Sequence, residues 1–260
     1  MFKALGAISS LLAAHNLSRQ AGARSSYSMK FTETARSLLH LFFPHCCVGC
    51  GTDVLSNQQI LCLPCISQLP VTNFHLYADN PVQQRFRGRL PLIDATSYVY
   101  FTKDSMLQEV MHQFKYNNRK NIGTWFGRRI GEALQTSSRF TMPDALIPVP
   151  LFDARKRKRG YNQAELLCTG IAEVLELPVW KDVITRTTLT ESQTRKNRIQ
   201  RWQNMEGKFA VMQPATIRGK HLLLVDDVVT TGATLEACGR ALLAVGEVKL
   251  SIATMAFAIR

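Results

Sequence analysis

Residues 222–234 read LLLVDDVVTTGAT. The first four residues form a short continuous apolar run, which is typical of a strand buried on both faces of a parallel sheet. Asp226 and Asp227 follow at the carboxyl end of this predicted strand. The residues after them open a helix with apolar residues at helical spacing, namely Leu235, Cys238, Leu242 and Val245. Ligands of open α/β sheets bind outside the carboxyl ends of strands, so this segment predicts a binding site.

The turn after the two aspartates has the composition of a phosphate-binding loop. It consists of Thr230, Thr231, Gly232, Ala233 and Thr234. Free N–H groups and the helix dipole attract phosphate to a helix N-terminus. Adjacent carboxylates suit the vicinal hydroxyls of a sugar, so the segment predicts a ribose 5-phosphate site. An ordinary strand-to-helix turn with a Ser/Thr cap and an acidic metal site are the alternatives.

This order of residues resembles the signature of the type I phosphoribosyltransferases, which bind phosphoribosyl pyrophosphate (PRPP). In those enzymes the acidic pair binds the ribose hydroxyls and the following loop binds the 5-phosphate. The resemblance implies a catalytic role for Asp226 and Asp227 and substrate binding by residues 230–234. It also implies Mg²⁺ bound together with PRPP and held mainly by substrate oxygens.

Two C-x-x-C pairs near the amino end predict a small metal site. The first pair is Cys47 and Cys50, and the second is Cys62 and Cys65. Each pair has the spacing of a turn that presents two thiolates to one tetrahedral ion, so the four residues predict a closed, structural Zn²⁺ site. Two disulfides are the alternative. Cys46 is excluded because its use would break the two-residue spacing.

A second strand, loop and helix are predicted between residues 145 and 175. Residues 145–150 read ALIPVP, a short apolar strand that ends at Pro150, because proline cannot donate to a central ladder. An unbroken basic run follows at 155–159 and is expected in a loop before the helix. The loop would lie at the same edge of the sheet as the two aspartates, where positive charge can compensate a pyrophosphate group.

The chain also resembles the ComF family, which includes the GntX-like proteins. The resemblance rests on the apolar strand with its basic run, on RGYNQAEL at 159–166, on SQTR at 192–195, and on the cysteine and C-terminal motifs. It covers about residues 42–260. It implies a zinc-ribbon-like module on a type I phosphoribosyltransferase domain. Arg157, Arg159 and Gly160 are then expected on the pyrophosphate side of PRPP.

The chain is predicted to consist of four segments. Residues 1–41 are an upstream extension or a targeting-like tail, and residues 42–70 form the four-cysteine zinc knuckle. Residues 71–142 are a linker followed by a strand and helices packed on the core. Residues 143–260 form the α/β domain, a parallel sheet flanked by helices.

Finer predictions apply within two of these segments. Residues 70–91, which mix polar residues with Pro and Gly, are typical of a linker. A strand is expected at 98–101, and apolar stripes that begin at Met106 and Ile122 predict two helices. The long polar stretch 185–203 is expected to form a hood that closes over PRPP and excludes water.

The predicted reaction is attack of a nitrogen nucleophile at C1 of PRPP with release of pyrophosphate; the acceptor is unknown. The net charge of +13 leaves a second hypothesis open. A ComF-type accessory of competence and DNA uptake would use the zinc knuckle and the basic surface to bind single-stranded DNA. A third hypothesis is a sensor that binds PRPP without turnover, because a fold does not fix an activity.

Compartment and assembly are weakly constrained by the sequence. No apolar run is long enough to span a bilayer, so no membrane partner is expected. The cysteine pairs favour a reducing compartment, so a cytoplasmic location is predicted. A homodimer is an open alternative to a monomer.

Overall fold

A computed structural model of the 260-residue chain describes residues 46–53, 55, 59–187 and 209–259. Residues 48–50 and 60–260 form a large compact unit, and residues 1–47 and 51–59 form a small one. The secondary structure below belongs to the large unit. None of the helices in the described ranges is both long enough and apolar enough to cross a membrane.

The described part of the large unit contains six strands and eight α-helices. The strands are β1 (Ala95–Phe101), β2 (Ala145–Pro148), β3 (Ile184–Arg186), β4 (Phe209–Val211), β5 (His221–Val229) and β6 (Lys249–Ala258). The helices are α1 (Leu63–Ser67), α2 (Pro81–Phe86), α3 (Met106–Tyr116), α4 (Asn121–Gln135), α5 (Asp153–Arg159), α6 (Gln163–Leu175), α7 (Pro214–Ile217) and α8 (Ala233–Leu243). A short 3₁₀ turn covers Phe74–Leu76.

Four strands form one parallel sheet in the order β1-β6-β5-β2, which confirms the predicted α/β fold class. The apolar residues 222–225 of β5 are fully buried between β6 and β2, as their continuous hydrophobic run predicts. β1 lies at one edge, so the sheet extends across the segment boundary expected at residue 143.

The central strand is longer than the apolar run that predicts it. β5 continues to Val229 because β6 keeps pairing with it, with Phe257 opposite Val229. Asp226 and Asp227 therefore lie within the last four residues of the strand and not after its end. Their positions are fixed by the sheet, which holds them more rigidly than a loop would.

Helices α4 and α6 pack with their backbones almost in contact. A Cβ on Gly127 of α4 would collide with the carbonyl oxygen of Leu167, and a Cβ on Gly170 of α6 would collide with the carbonyl oxygen of Thr124. Helix α6 also packs on β2 and β5. The two glycines therefore set the position of α6 and of the segment that leads into its N-terminus.

The linker predicted at residues 70–91 is wrong. This segment contains the 3₁₀ turn and α2, and it contributes four side chains to the hydrophobic core around β5, namely Phe74, Val82, Phe86 and Leu90. Asn80 caps α2 by accepting from the N–H of Val82 at 3.0 Å, and its amide donates to the carbonyl of Ala95 at 2.8 Å. Pro81, which counts towards a linker in the sequence, is the first residue of this helix.

The basic run predicted as a loop is also different in the structure. It forms α5, because Arg and Lys are good helix formers. Gly160 follows with φ of 77°, the left-handed conformation that ends many helices and that glycine adopts at little cost. The run therefore presents its charges from a helix.

The two-stranded antiparallel ribbon of β3 and β4 stands at the two ends of the predicted hood. Ile184 pairs with Val211, and Arg186 pairs with Phe209. Of the hood itself, residues 188–203 lie outside the described residues, so the prediction of a lid stays a prediction. The ribbon brings the two ends of that segment together.

The glycine contact between α4 and α6 gives a stability prediction. Gly170→Ala is expected to lower the free energy of unfolding by about 1–3 kcal/mol, because the added methyl group must displace the backbone of α4. Denaturant unfolding followed by circular dichroism measures this change. Asn121→Ala, at an exposed position in the first turn of α4, is the control and should change stability by less than about 0.5 kcal/mol. A Gly170→Ala protein as stable as the wild type would contradict the close helix contact.

Candidate functional site

The acidic pair lies near the carboxyl end of β5, where both carboxyl groups are half-buried. The backbone N–H of Asp227 donates to Oδ1 of Asp226 at 2.8 Å. On the other carboxyl group, Oδ2 of Asp227 lies 2.8 Å from Nζ of Lys115, in the last turn of α3. The side chains of this ion pair are only 21% and 15% exposed, so solvent screens the attraction weakly.

The two acids differ in environment. Burial and the negative charge of Asp227 raise the pKa of Asp226 to about 8, although the N–H of Asp227 and the charges of Lys115 and Arg186 oppose the rise. The raised pKa favours a proton on Asp226 near pH 7, and Lys115 lies against the neighbouring carboxyl group. A neutral carboxyl group donates a hydrogen bond and a carboxylate accepts one, so the pair can bind two neighbouring hydroxyls in complementary senses.

The predicted phosphate turn follows β5 directly and leads into α8. Gly232 occupies the N-cap position with φ of 78° and has no side chain to cap the helix, while Oγ1 of Thr231 accepts from the N–H of Ala233 at 3.4 Å. Thr230, Thr231 and Ala233 are exposed. A helix N-terminus with a glycine N-cap beside two acids fits an anionic ligand attached to a polyhydroxyl group.

Two arginines hold this turn from outside, and the sequence analysis missed both. Arg85 donates to the carbonyl oxygen of Thr230, and Arg89 donates to the carbonyl oxygen of Thr231 at 3.0 Å. Nε of Arg89 also donates to Glu236 of α8 at 2.9 Å, and this bond lowers the pKa of the Glu236 carboxyl group. Arg85 lies in α2 and Arg89 in the turn that follows it, and no local pattern connects either residue with the turn after β5.

The basic segment reaches the acidic pair through the end of α3. The hydroxyl of Tyr161 donates to the carbonyl oxygen of Phe114, one residue before Lys115. The guanidinium of Arg159 lies 5.4 Å from the ring centre of Tyr116, one residue after it. Of the residues expected on the pyrophosphate side, Arg159 and Gly160 thus lie next to the end of α3, whereas Arg157 is an exposed residue of α5.

A cavity of about 400 Å³ opens at the end of β2 and beneath the β3–β4 ribbon. Its lining consists of Pro148, Pro150, Leu151, Asn162, Glu165, Lys181, Asp182, Ile184, Thr185, Arg186 and Met212. The guanidinium of Arg186 stacks 3.3 Å from the ring centre of Phe152, and its buried Nε has no hydrogen-bond partner among the described residues. Desolvation lowers the pKa of Arg186, while the charge of Asp226 raises it. Pro148 in the lining pairs with Val225, the residue before Asp226, so the cavity lies beside the strand that carries the acidic pair.

The four predicted zinc ligands come together at the amino end of the described chain. The sulfur atoms of Cys47, Cys50, Cys62 and Cys65 all lie within 4.8 Å of one another. Sγ of Cys50 is 3.6 Å from Sγ of Cys62, close to the roughly 3.8 Å edge of a tetrahedron with zinc–sulfur bonds of about 2.3 Å. No disulfide joins any of the seven cysteines, all of which are described. The cluster can hold a metal such as zinc.

Comparison with known proteins bears on this site. The model of the phosphoribosyl transferase domain matches residues 133–259, which include β2, the ribbon, β5, β6 and the aspartate motif. DNA utilization protein YhgH of Shigella flexneri is 30% identical over 199 residues, 75% of this chain and 83% of that protein. Competence protein F of Haemophilus influenzae is 30% identical over 150 residues, 56% of this chain and 66% of that protein. Competence protein ComFC of Bacillus subtilis is 32% identical over 166 residues, 63% of this chain and 64% of that protein.

The chain belongs to the ComF family of phosphoribosyltransferase-domain proteins. The predicted family membership and fold class are thus confirmed, and the cysteine cluster is compatible with a zinc module. The matched region begins at residue 133, so β1, α2 and α3 lie before it. Lys115, Arg85 and Arg89 therefore come from a part of this ComF-family chain that the domain match does not cover.

The charge state of the acidic pair gives a pH prediction. The folded protein holds a proton on Asp226 up to about pH 8, whereas an unfolded aspartate loses it near pH 4, so the stability of the ComF-family chain should fall as pH rises between these values. Asp226→Asn removes this dependence. At pH 8.5 the variant should have a Tm several degrees above that of the wild type, and at pH 5 the two Tm values should be close.

Thermal unfolding of both proteins across pH 5–8.5 measures this difference. Glu247→Gln, which removes one carboxylate from the exposed turn before β6, is the control for a general change in net charge. A Tm difference that stays constant with pH would contradict the protonated state of Asp226.

The cysteine cluster gives a metal prediction. The purified protein is expected to contain close to one zinc ion per chain, and Cys62→Ser should lose most of it with a lower Tm, because a structural zinc site contributes directly to folding. Elemental analysis by mass spectrometry measures the metal. Cys46→Ser, beside the cluster but outside the four-residue set, should keep its zinc. Equal metal loss in the two variants would show that the ligand set is wrong.

Proposed function

We propose that this ComF-family protein binds PRPP and transfers its ribosyl 5-phosphate group to an acceptor with release of pyrophosphate. The proposal is carried by one observation: a half-buried acidic pair, in which the pKa of Asp226 is raised, lies shortly before a helix whose N-cap is a glycine. This arrangement provides one site for vicinal hydroxyls and one for a phosphate. The family membership supports the same assignment of these two parts.

The acidic pair would orient the ribose. Asp227 accepts a hydrogen bond from one hydroxyl, and the proton of Asp226 allows it to donate to the other. The negative charge on Asp227 also favours positive charge that develops at C1 as the bond to pyrophosphate lengthens. Both groups are fixed by the pairing of β5 with β6, so little reorganisation is needed.

The turn at residues 230–234 would hold the 5-phosphate. Arg85 and Arg89 bond the carbonyl oxygens of Thr230 and Thr231 and so hold the turn in place beside the acids. The basic residues of α5 would lie on the pyrophosphate side. Mg²⁺, when bound, would neutralise the pyrophosphate while being held mainly by oxygens of the substrate.

The cavity beneath the ribbon is the proposed acceptor subsite. Its volume of about 400 Å³ is in the range of small-molecule sites. Arg186 in its lining interacts electrostatically with Asp226. Its walls combine apolar residues with both acidic and basic side chains. A flat, polar nucleophile with a nitrogen directed towards C1 fits this mixture.

The binding step is tested with PRPP and Mg²⁺ by thermal shift and by calorimetry. PRPP should raise Tm, because a ligand that binds only the folded state stabilises it by mass action. Asp227→Asn should weaken this binding by about 10–100-fold, the cost of losing hydrogen bonds to a charged group. Glu247→Gln is the charge control. Absence of PRPP binding by folded, zinc-loaded wild-type protein would overturn the proposal.

Turnover is tested by release of pyrophosphate in the presence of candidate nucleophiles. A catalyst releases pyrophosphate with at least one acceptor, and Asp227→Asn abolishes the release. A PRPP sensor is stabilised by PRPP and releases none with any acceptor. The two outcomes separate catalysis from binding alone.

A second candidate function is single-stranded DNA binding in competence or DNA use. The names of the relatives and the net charge of +13 favour it. Its affinity should fall steeply with salt, because phosphate contacts release counterions, and it should survive Asp227→Asn. The dependence on salt and the response to Asp227→Asn distinguish the two functions.

A further inference from the structure

The ion pair between α3 and β5 assigns a role to a residue outside the matched phosphoribosyl transferase domain. We propose that Lys115 contacts the pyrophosphate group of PRPP at its bond to C1 and stabilises the leaving group. This inference rests on the proposed function and deepens it. It concerns one cation that neither the aspartate motif nor the basic run contains.

The first argument is the position of the ammonium group. Nζ of Lys115 lies 2.8 Å from Oδ2 of Asp227, the carboxylate proposed to bind a ribose hydroxyl. A cation in contact with that oxygen lies within one or two hydrogen-bond distances of the ribose substituents that the same carboxylate binds. The leaving oxygen on C1 is such a substituent.

The second argument concerns the contacts made by the two neighbours of Lys115 at the end of α3. The carbonyl of Phe114 accepts from Tyr161, and the ring of Tyr116 carries the guanidinium of Arg159 at 5.4 Å. Lys115 is the residue between these two contacts. It therefore lies between the acidic pair on one side and the basic segment proposed for pyrophosphate on the other.

The third argument concerns charge. Without ligand, Lys115 compensates the negative charge of the acidic pair. Pyrophosphate brings several more negative charges beside the same ammonium group, which is 21% exposed and has three N–H donors. One donor can remain on Asp227 while the others turn to phosphate oxygens. The arrangement needs no movement of the helix.

The chemical step balances without a proton transfer from Lys115. The bond from the nucleophile to C1 forms, and the bond from C1 to the pyrophosphate oxygen breaks with its electron pair on that oxygen. Lys115 remains an ammonium ion and donates hydrogen bonds to the oxygen as its charge grows. The proton that the nucleophile gives up passes to water or to an oxygen of the released pyrophosphate.

The test compares PRPP with ribose 5-phosphate, which lacks the pyrophosphate group. Lys115→Met should raise the Kd of PRPP by about 10–100-fold and that of ribose 5-phosphate by less than about threefold, each measured by calorimetry with Mg²⁺. Lys115→Arg should recover most of the PRPP affinity because it keeps the charge. Lys249→Met removes an exposed lysine at the opposite end of the sheet and should change neither Kd.

A measurement on the wild-type protein avoids any folding defect of the variants. PRPP with Mg²⁺ should slow reductive methylation of the Lys115 ammonium group, read by peptide mass spectrometry, at least several-fold more than ribose 5-phosphate does. Equal protection by the two ligands would overturn the contact with pyrophosphate.

The outcomes separate this inference from the proposed function. If Lys115→Met weakens PRPP and ribose 5-phosphate by the same factor, Lys115 only positions Asp227, and the contact with pyrophosphate is wrong while PRPP binding stands. If wild-type protein takes up neither ligand, the proposed function and this inference both fail. A selective loss of PRPP affinity with rescue by arginine supports the contact.

Discussion

Two carboxyl groups on consecutive residues, half-buried at the end of a central strand, repel each other unless one of them holds a proton or a cation stands close by. This protein meets both conditions. The raised pKa of Asp226 keeps a proton on one group, and Lys115 lies against the other. Much of the surrounding structure serves to keep these partners in place.

The strands and helices that supply those partners come from distant parts of the chain. β6 pairs with the last residues of β5 and prevents the acids from relaxing apart. α3 delivers Lys115, and β3 delivers Arg186, whose charge also acts on Asp226. Arg85 of α2 and Arg89 of the turn after it bond the carbonyl groups of Thr230 and Thr231. The site is therefore assembled around the acids by tertiary packing and not by the aspartate motif alone.

The sequence predicted those parts of the site whose determinants are local. The apolar run before Asp226, the small residues after Asp227 and the spacing of the cysteines each specify a strand, a turn or a ligand pair over a few neighbouring residues. The stripes that begin at Met106 and Ile122 likewise correspond to α3 and α4. Apolar residues at helical spacing predict helices well, because packing on one face of the helix imposes that spacing.

The remainder depends on contacts that a local pattern does not contain. The Pro and polar residues of α2 fit a linker as well as a helix. The hydrogen bond from Asn80 to the start of β1 favours the helix, and it is a tertiary contact that no local pattern contains. The partner of Asp227 is a lysine of another helix, and nothing near either residue in the sequence connects them. The charge of α5 fits a solvent-exposed loop as well as a helix. The structure has a helix there, in line with the good helix propensity of Arg and Lys.

Helix α3 has a neighbour at its other end as well. Gly49, next to Cys50, approaches so closely that a Cβ there would lie 2.8 Å from Sδ of Met106 and 3.0 Å from Sγ of Cys65. Met106 begins this helix and Lys115 lies nine residues further on, about 13.5 Å along the helix axis. The close packing at Gly49 and the ion pair with Asp227 therefore hold opposite ends of the same helix.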